Sequence, residues 1–332
     1  MSTSNTVLGL EGAMNVASRL RSRLRSAIVG RDEIIDLVII ALLADGHVLL
    51  EDYPGSGKTT LAKALGESLI DHGRGDIVAM RRVQFTPDLL PSDVTGTTIF
   101  DPEQRKFFFR PGPIFAHVLL ADEINRSSPK VQSSLLEAMA EKQATIDNET
   151  HRLDDLFFVI ATQNPLDLAG TYPLPTAQLD RFLFKICMRH IDPKKELDLL
   201  IRFSEVKKGL ESTLPRVHRD EVIASRTAIE NHVHIADSIK KALVDFAVET
   251  RDNAATMQGV STRSLVLALT ALQTRAMMEG RNYVSADDLV YLSPYLFAHR
   301  LMLLPGAKNA EEVVEACLKE PVNRLARAMV RR

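Results

Sequence analysis

Glu51-Asp52-Tyr53-Pro54-Gly55-Ser56-Gly57-Lys58-Thr59-Thr60 is the stretch on which the reading of this chain turns. The apolar run His47-Val48-Leu49-Leu50 precedes it. Leu61-Ala62-Lys63-Ala64-Leu65, apolar at helical spacing, follows it. Strand, glycine-rich turn and helix in that order are what a phosphate-binding loop requires. Gly55 and Gly57 let the backbone approach an anion where a Cβ would stand in the way. Amides at the helix start face the anion, and the helix dipole adds partial positive charge. In such a loop Lys58 reaches the β- and γ-phosphates and the Thr59 hydroxyl binds Mg2+. The general pattern G-x-x-x-x-G-K-[ST] would place its first glycine at position 52, where this chain has aspartate. An acid there has to point away from phosphate. Taken without its flanks, Gly57-Lys58-Thr59 reads equally well as a plain turn with a surface lysine.

A second apolar run, His117-Val118-Leu119-Leu120-Ala121, ends in Asp122-Glu123. A continuous apolar run suits a strand buried on both faces, as in a parallel sheet covered by helices. Ligands bind at the C-terminal ends of such strands. There Asp122 would complete the Mg2+ shell and Glu123 would polarise the attacking water. The plain alternative is a helix start decorated with acids. Residues 156–162 form a further apolar run, ending in Gln163-Asn164-Pro165. Asn164 at that tip could orient the water or touch the γ-phosphate. By itself it is a turn asparagine before proline.

The totals exclude several classes. With 41 Lys and Arg against 43 Asp and Glu, the formal charge of −2 argues against a protein built to coat nucleic acid. The 332 residues are ample for a sizeable core in one large or two ordinary domains. Cys187 and Cys317 are far apart, which supports neither a disulfide framework nor a cysteine metal site. A reducing, cytoplasmic compartment is the simpler expectation, with both cysteines as small buried apolar residues. The nine histidines include no H-x-x-x-H pair, and His232 and His234 read as ordinary polar residues. Residues 1–8 are short and polar, without the pattern of a signal peptide. The longest apolar stretch, 34–50, is broken by Asp36, Asp45 and Gly46, so no membrane span is expected.

Along the chain, residues 15–28 read as a helix whose Arg19, Arg21, Arg23 and Arg25 form a solvated basic face. An apolar helix over 33–43 leads to the strand before the loop. A charged turn covers 71–76 and a second strand 78–85. Pro87 and Pro91 keep 86–96 from forming a long regular element. Residues 97–109 read as a hairpin around Asp101-Pro102-Glu103-Gln104. Residues 131–142 read as an amphipathic helix and 143–154 as another hairpin. Arg181 lies in a short helical segment before a strand over 184–188, and on its own is a surface or ion-pair arginine. From about 192 lysine and glutamate dominate, which places a boundary between 190 and 230. The remainder is helical: 235–251, 264–278, a helix from 289 opened by the box Ser285-Ala286-Asp287-Asp288, and 311–329.

Together these pieces resemble an AAA+ ATPase of the MoxR family, over nearly the whole chain from about Val16. The segments that carry the resemblance begin with Ile28-Val29-Gly30 and residues 47–59. They continue with Phe85-Thr86-Pro87-Asp88-Leu89-Leu90-Pro91-Ser92-Asp93, Gly112-Pro113-Ile114-Phe115 and Ala121-Asp122-Glu123-Ile124-Asn125-Arg126. Ala161-Thr162-Gln163-Asn164-Pro165, Tyr172-Pro173-Leu174-Pro175, Leu179-Asp180-Arg181-Phe182 and Gly259-Val260-Ser261-Thr262-Arg263 complete the set. The resemblance implies an α/β fold: an AAA+ P-loop αβα sandwich on a parallel sheet, then a small all-helical lid. It divides the chain into a nucleotide-binding unit over 1–200, a linker over 201–230 and a lid over 231–332. ATP and Mg2+ are the implied cofactors. Val29 and Gly30 fall on the adenine side, with Pro54, Gly55, Ser56, Gly57, Lys58, Thr59 and Thr60 around the phosphates. Thr59 and Asp122 match the metal positions, and Glu123 completes the Walker B pair. Asn164 matches sensor 1, Arg181 an arginine finger acting on a neighbouring subunit, and Arg263 sensor 2. The hairpins at 97–109 and 143–154 match the helix-2 insert and the hairpin before sensor 1, both facing the ring axis and the client.

Asp52, Arg31 and Thr262 depart from the family pattern. Arg31 stands where many relatives carry glutamine beside the adenine, and Thr262 where proline is common. The implied activity is ATP hydrolysis in a homo-oligomeric ring, by analogy a hexamer. It would remodel protein clients with a von Willebrand A domain protein as partner, and this chain has no D-x-S-x-S segment of its own. A nucleic-acid motor and a magnesium-chelatase-type motor subunit are the competing readings. A non-hydrolysing scaffold is disfavoured by Lys58, Asp122, Glu123 and Arg181 together, and a GTPase by the lack of an N-K-x-D segment.

Overall fold

The computed structural model describes residues 8–52, 56–71, 77–165, 170–201, 203, 213–307 and 309–330. Pro54 and Gly55, the side chain of Asp52 and most of the turn at 71–76 lie outside the described residues.

Five strands form one parallel sheet: β1 (Val48–Asp52), β3 (Val78–Gln84), β6 (Ala116–Asp122), β9 (Phe158–Gln163) and β10 (Phe184–Met188). Their spatial order is β10-β1-β9-β6-β3. Neither β3 nor β6, the sheet strands that follow β1 in the chain, is its neighbour, because β9 lies between β1 and β6. Register places Leu50 opposite both Ile186 and Thr162, and Leu120 opposite Ile160. Alternate residues face opposite ways on a pleated strand. Val48, Leu50, Leu120 and Ile160 thus join one apolar cluster, and Leu49, Leu119, Val159 and Ala161 the other. Both faces are dry, as continuous apolar strands require.

The first cluster is covered by α1 (Leu10–Ala27), α2 (Asp32–Leu43), α3 (Lys58–Ser68) and α8 (Arg219–His232). The second is covered by α5 (Pro129–Glu141), through Leu135, Leu136 and Met139. The short β2 (Leu69–Ile70) pairs in parallel with β11 (Val217–His218). Helices α4 (Pro91–Thr95), α6 (Thr176–Leu179) and α7 (Pro193–Ile201) are short connections.

Two hairpins leave this body: β4 (Gly96–Asp101) with β5 (Lys106–Pro111), and β7 (Gln143–Ile146) with β8 (Glu149–Arg152). A Cβ on Gly96 would lie 2.4 Å from the Arg110 carbonyl oxygen at a φ of +99°, so only glycine fits the base of the first hairpin. Their rings touch where Phe109 stacks on His151, 3.8 Å between centroids.

The lid consists of α9 (Asp237–Asp252), α10 (Thr262–Met278), α11 (Ala286–Phe297) and α12 (Ala310–Val330). Between them β12 (Thr256–Gln258) and β13 (Met302–Leu303) pair antiparallel. The expected box forms at α11, where the Ser285 amide donates to Asp288 at 2.8 Å. Asp288 is fully buried and is held by Arg281 at 2.6 Å. The lid's Leu292, Leu296 and Phe297 share the first cluster with the sheet.

Three readings of the sequence are corrected. The arginines of α1 are not a solvated face. Arg19 pairs with Glu221, Arg21 with Asp36 at 2.7 Å and Arg25 with Asp32 at 2.8 Å. Arg23 is buried, donating to Ser68 Oγ at 3.2 Å and to the Leu214 carbonyl. Each partner lies on another element, which helical spacing cannot reveal. Cys187 is exposed, while Cys317 is buried. Within the stretch set down as a linker, Val217 pairs into β11 and α8 buries Val222, Ala228 and Ile229. The abundant charge there hides this apolar stripe, and part of that charge is structural: Arg219 holds buried Asp154 at 2.8 Å.

Candidate active site

Gly57 adopts a left-handed conformation, φ +95°, at the N-cap of α3, and nothing stands within 4 Å of where its Cβ would be. The cap position makes no side-chain hydrogen bond, and the first turn has no acid. The helix start is thus an uncapped set of amides beside an open space, a cradle chemically suited to phosphate. Lys58 opens the helix. Thr59 follows it with an exposed side chain, and Thr60 is half-buried. The Ser56 hydroxyl contacts Met188 Sδ at 3.8 Å.

The acidic pair arrives from β6. Lys58 Nζ lies 3.4 Å from Asp122 Oδ1, which joins the loop to the acids. Asp122 also accepts hydrogen bonds from Arg82 Nη2 and from Thr162 Oγ1, both at 2.7 Å. Burial alone would raise the Asp122 carboxyl. The hydrogen bonds from Arg82 and Thr162, with the Lys58 charge, outweigh it and hold the group below its ordinary value. A hard oxygen donor of this kind, with the hydroxyl of Thr59 next in the chain to Lys58, suits Mg2+ chemically. Among the described residues no cluster of His, Cys, Asp and Glu forms a separate metal cage.

Glu123 has φ +58°, unusual for a residue with a Cβ. Its amide donates to Thr162 Oγ1 at 2.8 Å. Its carboxylate accepts from Gln84 Nε2 at 2.7 Å and pairs with Arg126 Nε at 3.2 Å. Arg82 and Gln84 were not singled out in the sequence, and Thr162 and Arg126 stood only inside quoted segments, with no role given to either. For Arg82 and Gln84 the sequence signal was strand parity, which puts both on one face of β3; that β3 pairs with β6 came from the structure. Asn164 follows the last residue of β9 and is half-buried.

Gly30, with φ +78°, lines a cavity of about 590 Å³ together with Arg31, Ile186, Cys187, Tyr295 and Glu311. Val29 is half-buried next to it. Arg31 donates to the Arg189 carbonyl. The cavity lies between α2, β10 and the lid. Arg181 and Arg263 are held elsewhere. Arg181 Nη1 donates to the Leu136 carbonyl of α5 at 3.0 Å, and Arg263 Nε lies 3.9 Å from Asp180.

The chain matches two families: residues 47–184 the ATPase family associated with various cellular activities (AAA), and residues 248–320 the AAA lid domain. It is 45% identical to the uncharacterised protein YeaC of Bacillus subtilis, covering 90% of this chain and 92% of that one. Identity to Chaperone MoxR1 of Mycobacterium tuberculosis is 35%, over 89% of this chain and 78% of the relative. Identity to Protein MoxR of Methylorubrum extorquens is 31%, over 88% and 89%. A crystal structure from Cytophaga hutchinsonii, assigned as an ATPase, superposes with a TM-score of 0.82 at 33% identity, covering 93% of this chain and 96% of that one. With the uncapped loop helix, the acid-tipped strand and the helical lid in one body, these likenesses make the chain a member of the MoxR family of AAA+ ATPases.

Proposed function

We propose that this chain binds ATP with Mg2+ and hydrolyses it to ADP and phosphate, and that the cycle remodels protein clients. The contact of Lys58 with Asp122, with Glu123 next in the chain, carries the reading. Lys58 and the amides of α3 bind the phosphates. Thr59 and Asp122 hold the metal, which when bound neutralises charge on the phosphate oxygens. Glu123 accepts the proton of the attacking water, and Asn164 orients that water. Arg181 acts on the pocket of a neighbouring subunit, and Arg263 reports the nucleotide to its own lid. Positioning and charge stabilisation do most of the catalytic work in phosphoryl transfer. The working form is a ring, by family analogy a hexamer, with a von Willebrand A domain protein as partner. The name Chaperone MoxR1 of one relative supports a client-directed role. Among the described residues no helix is long and apolar enough to cross a membrane.

Glu123→Gln tests the reading. Glutamine keeps the size and most of the hydrogen bonding but cannot take a proton. Turnover is expected to fall by roughly 10²-fold or more, the scale of general-base loss, with ATP binding retained. In ATP the variant should hold ring, partner and client together in a pull-down. Parental turnover would reduce Glu123 to an acid at a helix start.

A further inference from the structure

The cavity beside Gly30 has one wall from the core and one from the lid, and a hydrogen bond ties the two. Tyr295 of α11 donates its hydroxyl to Glu33 Oε1 of α2 at 2.7 Å, and both residues line the cavity. Burial and the Glu33 carboxylate push the Tyr295 hydroxyl above its ordinary value, so it remains a donor. The cavity abuts the loop: Ser56 touches Met188, whose chain neighbours Cys187 and Arg189 line it. Its volume, about 590 Å³, is that of a small-molecule site. The lid does not part from the core as a block at low cost. Leu292, Leu296 and Phe297 of α11 are fully buried in the core that lid and sheet share, and lifting the helix would wet all three. The rim is softer. Tyr295 is half-buried and Glu33 is exposed. Pro294, just before Tyr295, has no amide to give the Val290 carbonyl, so the turn that carries Tyr295 is one helix bond short. Tyr295 can therefore swing on that turn while the core below it stays closed, and the bond to Glu33 opposes the swing.

We propose that Tyr295 and Glu33 form a latch on this cavity, which a nucleotide must unfasten both to enter and to leave. The latch rests on the reading of the site given above, with phosphate at Lys58, and it places the base in the cavity beside Gly30. It adds a pair of residues that sets the rate of nucleotide exchange without touching phosphate or metal. A bond that breaks on the way in and on the way out raises both barriers equally and leaves the affinity where the other contacts put it. A residue that holds the nucleotide behaves differently, because its loss speeds dissociation with little change in association.

Tyr295→Phe tests the latch, because it removes the hydroxyl and keeps the ring. Binding and displacement of methylanthraniloyl-ADP with Mg2+ are followed by stopped-flow fluorescence on the full chain. Association and dissociation rates are both expected to rise about fivefold, the scale of one hydrogen bond, with Kd unchanged. Glu33→Ala should do the same, and the double variant should go no further, since the two residues share one bond. Glu33→Gln, which keeps an acceptor, should stay near the parent. Thermal melting checks that each variant is folded, and Glu33→Ala, at an exposed site, carries the test where Tyr295→Phe does not fold. Unchanged rates in folded variants overturn the latch and leave the ATP site standing. Faster dissociation alone, with weaker affinity, makes Tyr295 a direct contact of the nucleotide, which also overturns the latch. A parent chain that does not bind the labelled nucleotide removes the ATP reading, and the latch with it.

Discussion

Thr162 makes the acidic site a unit at the scale of single residues. One buried hydroxyl donates to Asp122 at 2.7 Å and accepts from the Glu123 amide at 2.8 Å, holding Glu123 in its left-handed conformation. Thr162→Val keeps the volume but strands the Glu123 amide and removes one partner of Asp122. A loss of about 1–3 kcal/mol of stability is expected, the cost of an unsatisfied buried polar group. Turnover should fall more than ATP affinity, because the loop contacts are untouched. An unchanged kcat in the folded variant would show that Glu123 needs no such hold. His47 poses a second test at this scale. It is buried, with Nε2 on the Met139 carbonyl at 3.3 Å and Nδ1 accepting from the Val159 amide at 3.1 Å. Burial is the main cause that pushes its pKa from the ordinary 6.5 to about 4. The unfolded chain therefore takes up this proton before the folded one does. The contribution is complete above pH 6.5 and is lost as pH falls toward 4, by about 3 kcal/mol in all. Denaturant melts across that window should show a steeper loss for the parent than for His47→Gln. Parallel losses would mean that His47 is not the group responsible.

The element whose sequence is hardest to explain by packing is the hairpin of β4 and β5. Phe107 is 72% exposed, and Phe100 and Phe108 are exposed beside it, with Phe100 and Phe107 5.1 Å apart. Apolar rings on a protruding ribbon contribute little to the fold and much to a partner surface. Phe109, two residues from Phe107 on the same face and nearer the hairpin's base, stacks on His151 of the second hairpin, so the two ribbons are joined at that ring pair. Phe107→Ser with Phe108→Ser is expected to change stability by no more than about 0.5 kcal/mol each, as exposed sites do. ATP turnover without client should stay at the parental level while client-stimulated turnover is lost. A double variant that unfolds, or one still fully stimulated by client, would remove the hairpin from client contact.

For the whole molecule, Arg181 lies on the Leu136 carbonyl and not on Asp122 or Glu123 of its own chain. A pocket completed by a neighbour's arginine is incomplete in a lone subunit. Turnover per subunit is therefore expected to rise with protein concentration, in step with assembly followed by sedimentation. Fingers of this type contribute about 10³–10⁵ in rate where they act, so the rise should be large. Constant specific activity from dispersed to assembled protein would leave Arg181 as an intramolecular contact.

The sequence by itself determined the pieces whose cause is local. The run Val118-Leu119-Leu120, short and closed by the acidic pair Asp122-Glu123, reads as a strand dry on both faces. Gly57-Lys58 after a strand marks an uncapped helix start, and Ser285 with Asp288 opens a helix by satisfying its own amides. It also named Lys58, Asp122 and Glu123, because residues at strand tips and turn ends are read from their immediate neighbours. Tertiary structure alone decided what depends on which strands lie side by side. Placing β9 between β1 and β6 put Thr162 between the two acids, and pairing β3 with β6 delivered Arg82 and Gln84 to them. The arginines of α1 read as solvated because their partners lie on other elements, among them α8, α2 and the last residue of α3. Tyr295 gave no sign of its partner, since Glu33 meets it from 262 residues away. Periodicity reports which face of an element is apolar. It carries no information on which distant charge will be brought to that face, and that is settled only when the shared core is closed.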